Sequence, residues 1–410
     1  MPASLSTISA ITKEIYEAPL RMQLNDDVVA LSRIVKPTGK SAGVITDHVG
    51  AKYVTFPVHY KRNSGIGARR EMETLPTAGQ QGTVSARIGL KYQYGAIQLS
   101  GQVLALADSE YSVFISALEL ETSRIREDLS VDLNRQVYGT GSGAIGVTSS
   151  TTALNTAVIS AGASNFQLDE VVDIYTAANL AADSTAKATA RNVTAITDNG
   201  DGTGTVTFDG AAVTFAAGDV FVRTGSANRE WSGLGAMVDN TSGTSYENIL
   251  PSSVGIWASV VDANGGTPRA IGETLITKNV DKVTINGART SLLLTTMGVR
   301  RSYANLLMQL RQFTNKTDFT GGFSGLAFTT DRGEIPMISD KDAPKGTMYG
   351  LSEKNIKLYR DADWSFMDRD GNMWYRLQDK DGYGARLFQY SEMATDRRNA
   401  HFVIRDLIES

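Results

Sequence analysis

One stretch of period-two patterning runs well past the length of an ordinary strand, and it limits what this chain can fold into. Val84, Ala86, Ile88, Leu90, Tyr92 and Tyr94 share one face, and after Gly95 the apolar set resumes one position out of phase at Ile97 and Leu99. Fully extended, residues 84–100 would span roughly 56 Å, about three times an ordinary strand. Upstream, Val54, Phe56, Val58 and Tyr60 alternate with Thr55, Pro57, His59 and Lys61. The two runs predict a hairpin over 53–100 with a bulge or bend at Gly95, because glycine tolerates distorted dihedrals. A hairpin of that length exceeds what its own domain can bury, so it must lie on something else.

A second long element follows. In 109–138, Tyr111, Phe114, Leu118, Ile125, Leu129, Leu133 and Val137 recur at three- and four-residue steps, with Asp108 or Ser109 to cap the start and Gly139 to end it. Such a helix would be ~45 Å long. Arg124 and Asp128 fall at i and i+4 on its exposed side. Before the hairpin, Ile11, Ile15, Leu20 and Leu24 form a helical stripe interrupted by Pro19, and the polar stretch 36–50 reads as extended. After the long helix, 166–179 reads as a helix, and 188–224 as a small inserted β module of three or four strands separated by NGDGTG, DG and AGD turns. Further helices are expected near 272–283 and 299–313, with an apolar strand at 291–296 between them. The end reads as a strand meander with turns at Asp370-Gly371 and Asp381-Gly382. The fold class is α+β.

Composition removes several functions. The chain has 410 residues, no cysteine and three histidines, His48, His59 and His401, which rules out thiolate metal sites and disulfides and leaves too few histidines for a metal centre. Forty basic and forty-four acidic residues give a net charge of −4, so no global basic field draws the chain to nucleic acid or anionic membrane. The start lacks the pattern of a signal peptide, and no run approaches a membrane span. Gly141–Gly146 spells GxGxxG, but a helix precedes it where a dinucleotide site needs a strand. Asp198–Gly202 and Asp368–Gly371 resemble calcium loops without the closing glutamate, and read as hairpin turns. No catalytic, cofactor or metal constellation is complete, so an enzyme is not expected. The unusual local feature is the hairpin tip, where Arg62, Arg69 and Arg70 lie beside Glu71 and Glu73 among glycines. These five residues are expected to contact a neighbouring subunit.

Arm, long hairpin, long helix, mixed α/β part and strand meander, in that order, resemble the tailed-phage (siphophage) major capsid proteins of the Hong Kong 97-type fold. TSLLLTTMGVRRSYANLL (290–307), GGFSGLAF (321–328), IPMISDKDAPKGTMYGL (335–351), the ending at 370–407 and RREMETLP (69–76) look like that family too. The resemblance implies an N-terminal arm (1–52), an extended hairpin loop (53–100) and a spine helix of the peripheral domain (101–139). An axial domain (140–324) carrying the inserted module and peripheral strands with the C-terminus (325–410) complete it. It implies a structural subunit that forms pentamers and hexamers of an icosahedral head around double-stranded DNA. Its partners would be further copies of itself, a separate scaffolding protein, a portal protein and DNA through non-specific contact, with no membrane and no cofactor. The location would be the virion, with assembly in the host bacterial cytoplasm. An encapsulin-type compartment shell is the alternative on the same fold; a secreted β-rich adhesin fits less well, for want of a signal peptide. Only about fifty residues precede the hairpin, so no maturation cleavage is expected. Lys61 and Asn372 are the nearest candidates for a covalent inter-subunit bond, but non-covalent fastening is expected. The inserted module is expected to sit on the outer surface and to be dispensable.

Overall fold

A computed structural model describes residues 28–35, 43–45, 53–100, 102, 113–149, 153–311, 326–361, 363–368, 374–378 and 380–409. The stripe at 11–24, the Asp370-Gly371 turn and Asn372 lie outside them. The described chain forms two six-stranded sheets, a closed six-stranded barrel and a two-stranded hairpin, around a helix at Val113–Tyr138.

The first sheet is organised by its longest strand, Gly382–Thr395. Along one edge it pairs with Lys91–Ser100, from Ser391↔Lys91 to Gly382↔Ser100. The opposite edge takes Tyr375–Arg376, Ser365–Phe366 and Ile356–Arg360 in succession, and Gly43–Ile45 adds in parallel to the last. The run at 84–100 is therefore two strands. Gly82–Ile88 stays in the hairpin, and Lys91–Ser100 turns away into this sheet. The phase of burial changes at that break: Ala86 and Ile88 are buried on one side of it, and Ile97 on the other. At Gly95 the register is unbroken, contrary to the expected bulge. A Cβ there would lie 2.8 Å from Leu129 Cδ1 and 2.9 Å from Ile125 Cδ1. The glycine lets the long helix press onto the strand.

The second sheet runs, in order, Val260–Asp262, Phe402–Ile404, Met348–Leu351, Leu292–Thr295, Gly333–Ser339 and Leu326–Thr330. Leu292 and Leu294 face the main core, while Leu293 faces a second core under the helices Glu273–Ile285 and Met297–Arg311. A strand buried on both faces explains the unbroken apolar run at 292–294. Residues 326–351 and 402–404 return to this helix-backed sheet, and between those segments only 356–395 joins the first one.

The strands within 188–224 do not form a module of their own. Ala188–Asp198, Gly204–Phe208 and Val220–Arg223 close a barrel with Ala144–Thr148, Thr156–Ala161 and Val171–Tyr175. Phe166 of the first half packs with Phe208 and Phe221 of the second, at ring centroids 6.4 and 5.6 Å apart, and Phe208 stacks on Phe221 at 5.1 Å. The helix expected over 166–179 is replaced by the barrel strand Val171–Tyr175 and one short turn at Ala177–Ala181, which Thr176 caps through the Asn179 amide. β-Branched residues at 171–174 suit the barrel wall, and tertiary packing overrides the local helical spacing. Gly141 and Gly143, at φ +85° and +82°, carry the chain from the helix into the barrel, so the GxGxxG letters are a turn. Asp198–Gly202 is the turn of a barrel hairpin, as read.

The last six residues of the long helix, Leu133 to Tyr138, are all buried, polar ones included. Arg135 bonds Asp132 at 3.0 Å, Glu230 at 2.6 Å and the Ala144 carbonyl at 3.2 Å. Arg223, from the barrel, pairs with both Asp132 and Glu170. Gln136 donates to Asp132 and accepts from the Trp231 amide. On another side of the helix, Asn134 accepts from the Leu31 amide and donates to Asp340 and Asp342. Farther up, Arg124 pairs with Glu127 at i, i+3. Burial by itself would raise the Asp132 carboxyl, but Arg135 and Arg223 overcome it and hold the group at about 2.

Two outcomes follow. Replacing 188–224 by a short linker removes three of the six barrel strands, and soluble yield should collapse; a soluble, folded product would show that the first half stands alone. Asp132→Ala strands Arg135 and Arg223 without their shared carboxylate and should cost about 3 kcal/mol in urea denaturation at pH 7. Because the folded carboxyl sits below its unfolded value of 3.8, that contribution is present above pH ~4 and lost as pH falls through about 2.

Candidate functional site: the hairpin and its tip

Val54–Lys61 and Gly82–Ile88 pair antiparallel from Val54↔Ile88 to Lys61↔Gly82, with a bulge near His59. Alternation gives the hairpin two unlike faces. Phe56, Val58, Val84 and Ala86 pack on the main core, and Ile88 joins Tyr359 and Ala394. Thr55, Pro57, Ser85 and Arg87 face outward. The base of the hairpin thus rests on its own molecule, which corrects the expectation that the whole hairpin lies on something else. What projects is 62–81.

That tip is built rather than slack. Gly65 and Gly79 meet where the two legs cross: a Cβ on Gly65 would lie 2.8 Å from the Thr77 carbonyl oxygen, and one on Gly79 2.8 Å from the Ser64 nitrogen. Beyond the crossing, Arg69 Nε donates to the Thr74 carbonyl at 3.0 Å. The Arg70 amide donates to Glu73 Oε2 at 2.9 Å, and the Glu73 amide to the Arg70 carbonyl at 3.2 Å. Met72 closes the turn in the left-handed region, at φ +60°.

All five charged residues singled out from the sequence lie on this exposed tip, but they divide by task. Arg69 and Glu73 staple the turn. Among the described residues, the side chains of Arg62, Arg70 and Glu71 have no partner within the chain. Three further residues escaped the sequence reading: Ile66, Met72 and Leu75 are 83%, 101% and 78% exposed. Apolar residues inside a glycine-rich polar loop were the available signal. Exposed large apolar side chains gathered on one projection mark an interaction surface rather than a core.

No three His, Asp or Glu side chains among the described residues are placed to hold a metal ion, and no helix among them is long and apolar enough to cross a membrane. His401 is wholly buried. Its Nδ1 accepts from the Ser352 amide and its Nε2 faces Thr395 Oγ1, while burial lowers its pKa to about 3 and keeps it neutral. It is a packing element.

Residues 210–407 match the family described as SU10 major capsid protein. The structure of the cyanophage A-1(L) capsid is similar over 99% of this chain and 99% of that one, with a TM-score of 0.64 at 13% identity. The capsid of a native GTA particle is similar over 97% of this chain and 96% of that one, at TM-score 0.52 and 10% identity. No curated protein sequence matches the chain. The fold is thus the Hong Kong 97-type fold of phage capsid proteins, shared from end to end, and the second half of the chain matches a major-capsid-protein family.

Proposed function

We propose that the protein forms pentamers and hexamers that close into the icosahedral head around double-stranded DNA, with the hairpin tip as its principal fastening to the adjacent subunit. The observation that carries this reading is the tip itself, a preformed loop offering Ile66, Met72 and Leu75 with the unpartnered Arg62 and Arg70. Burying those three side chains on a neighbour is worth about 1.5–3 kcal/mol each, whereas an exposed ion pair adds only ~0–1 kcal/mol. The apolar contact holds and the charges set direction. In this reading the role is structural and involves no chemistry. Assembly takes place in the host cytoplasm with a separate scaffolding protein and a portal protein, DNA is contacted non-specifically, and the subunits are held without covalent bonds.

Electron microscopy and native mass measurement of the purified protein, with scaffold present, test the shell; a small species that never grows would falsify it. Met72→Ser with Leu75→Ser should abolish or sharply slow shell formation while the circular dichroism spectrum is unchanged. Arg62→Glu with Arg70→Glu should weaken assembly less and more strongly at low salt. Arg69 is left intact in this test, because reversing it would unfasten the turn. Normal shells from the serine variant would remove the tip from its assigned role.

A further inference from the structure

The return strand of the hairpin is tied to the body of the molecule through one residue of a distant segment. The Arg87 amide donates to the Glu247 carbonyl at 2.9 Å, and Glu247 Oε1 accepts from the Thr395 amide at 2.8 Å. Glu247 therefore bridges the hairpin and the longest strand of the first sheet. It does so from a tight turn: Tyr246 and Ile249 exchange backbone hydrogen bonds at 3.1 and 3.0 Å, while Glu247 and Asn248 between them take φ +52° and +66°. Two successive non-glycine residues in the left-handed region persist only where surrounding contacts hold them.

The electrostatics of the bridge are unbalanced. Oε2 of Glu247 is buried with no hydrogen-bond partner. Glu392 reaches the site from the same strand as Thr395, and Asp396 and Arg398 from the segment after it. Tyr246 of the same turn and Tyr359 of Ile356–Arg360 complete the surroundings. The nearest cation is Arg398, which donates through Nε and Nη2 to the carbonyls of Met237 and Ala236 and keeps Nη1 buried without a hydrogen-bond partner. Lys357 pairs with Asp396 at 3.0 Å, and the Arg87 guanidinium lies over the Tyr53 ring. His401, against Thr395 on its far side, is neutral. Three carboxyl groups thus share the field of one guanidinium that forms no hydrogen bond to Glu247.

We propose that Glu247 is a proton-operated latch on the hairpin, closed while its carboxyl is protonated and weakened when the carboxyl ionises. Burial pushes the Glu247 carboxyl up to about 8, with the Thr395 amide opposing and Glu392 adding to the rise. The sign follows from linkage. A carboxyl raised in the closed state favours closure fully below its free value of 4.5, and the advantage drains away as pH rises toward about 8. With one proton released on opening, the opening equilibrium should rise about tenfold per pH unit across that window. The hairpin would then be held at an acidic pH and released toward an alkaline one, which sets how freely the tip can search for a neighbour. The latch is a property of the single chain and stands apart from the assembly reading.

Hydrogen exchange on the unassembled full-length chain tests it between pH 5.5 and 7.5. Amides that exchange through a fast opening pre-equilibrium do so with a logarithmic slope of about 1 against pH from base catalysis alone, and a linked proton adds about 1 more. Arg87 and Thr395 amides should show a slope of about 2, and barrel amides about 1. Glu247→Gln, which keeps Oε1 as an acceptor, should return the two latch amides to about 1. Burial also raises the Glu392 carboxyl to about 8, but its bonds to the Ser232 and Met393 amides do not involve the latch, so Glu392→Gln should leave the two latch amides at about 2. A slope of about 1 for Arg87 in the unmodified protein overturns the proposal even if the glutamine variant does not fold. So does a slope of 2 that survives Glu247→Gln.

Discussion

The rest of the structure depends on the buried end of the long helix. Over Leu133–Tyr138 every side chain is enclosed, so the helix cannot offer an apolar stripe there and must satisfy polar groups all the way round. Each of those groups recruits a different part of the fold. Arg135 and Asp132 hold the barrel through Arg223, Gln136 holds the segment at Trp231, and Asn134 holds the short N-terminal helix Val29–Val35 and the loop at Asp340. A buried ion network of this kind adds modest net stability, but it is costly to leave half-made, which favours a single arrangement of the parts around it.

A helix clamped at one end makes a rigid frame for the strand that crosses it. Gly95 lets Ile125 and Leu129 sit directly on Lys91–Ser100, and that strand is continuous through Gly89-Leu90 with the hairpin. The direction in which the hairpin leaves the molecule is thereby inherited from the helix. At its far end the glycine crossing and the Arg69 and Glu73 staples shape the tip before any neighbour is met, which lowers the ordering cost of docking. The path from Arg135 to Met72 is thus braced at its two ends, by the buried helix and by the staples of the tip.

The barrel sits differently in this scheme. Its core is its own, built from Phe166, Phe208, Phe215 and Phe221, and it meets the frame through Arg223, with Lys345 and Asp201 paired at its surface. It is an independent packing unit with a polar joint, and its strands come from both sides of the Val171–Tyr175 segment.

Local pattern was sufficient for a good deal. Alternation over 54–60 and the helical steps from Ile125 to Val137 were legible because burial on one side imposes a period on the sequence. The Asp198–Gly202 turn was legible because glycine and aspartate carry their own backbone preference. The tip charges were visible as an unusual cluster, and the resemblance in the last third pointed to the right shell fold. What local pattern could not carry was pairing between distant segments. Nothing within 188–224 says that its partners are 144–175, and nothing within 326–351 says that it returns to Leu292–Thr295, since a strand's edge bonds with any backbone of matching register. The phase change before Lys91 looked like a bulge at Gly95 because sequence shows a slip without showing which neighbour causes it. Arg69 and Glu73 were legible as members of that cluster but not as staples of the turn, since their reach to Thr74 and Arg70 depends on the folded loop. The elements were set by side-chain period and turn chemistry; their partners were decided by the tertiary fold, because pairing and polar satisfaction are properties of two segments at once.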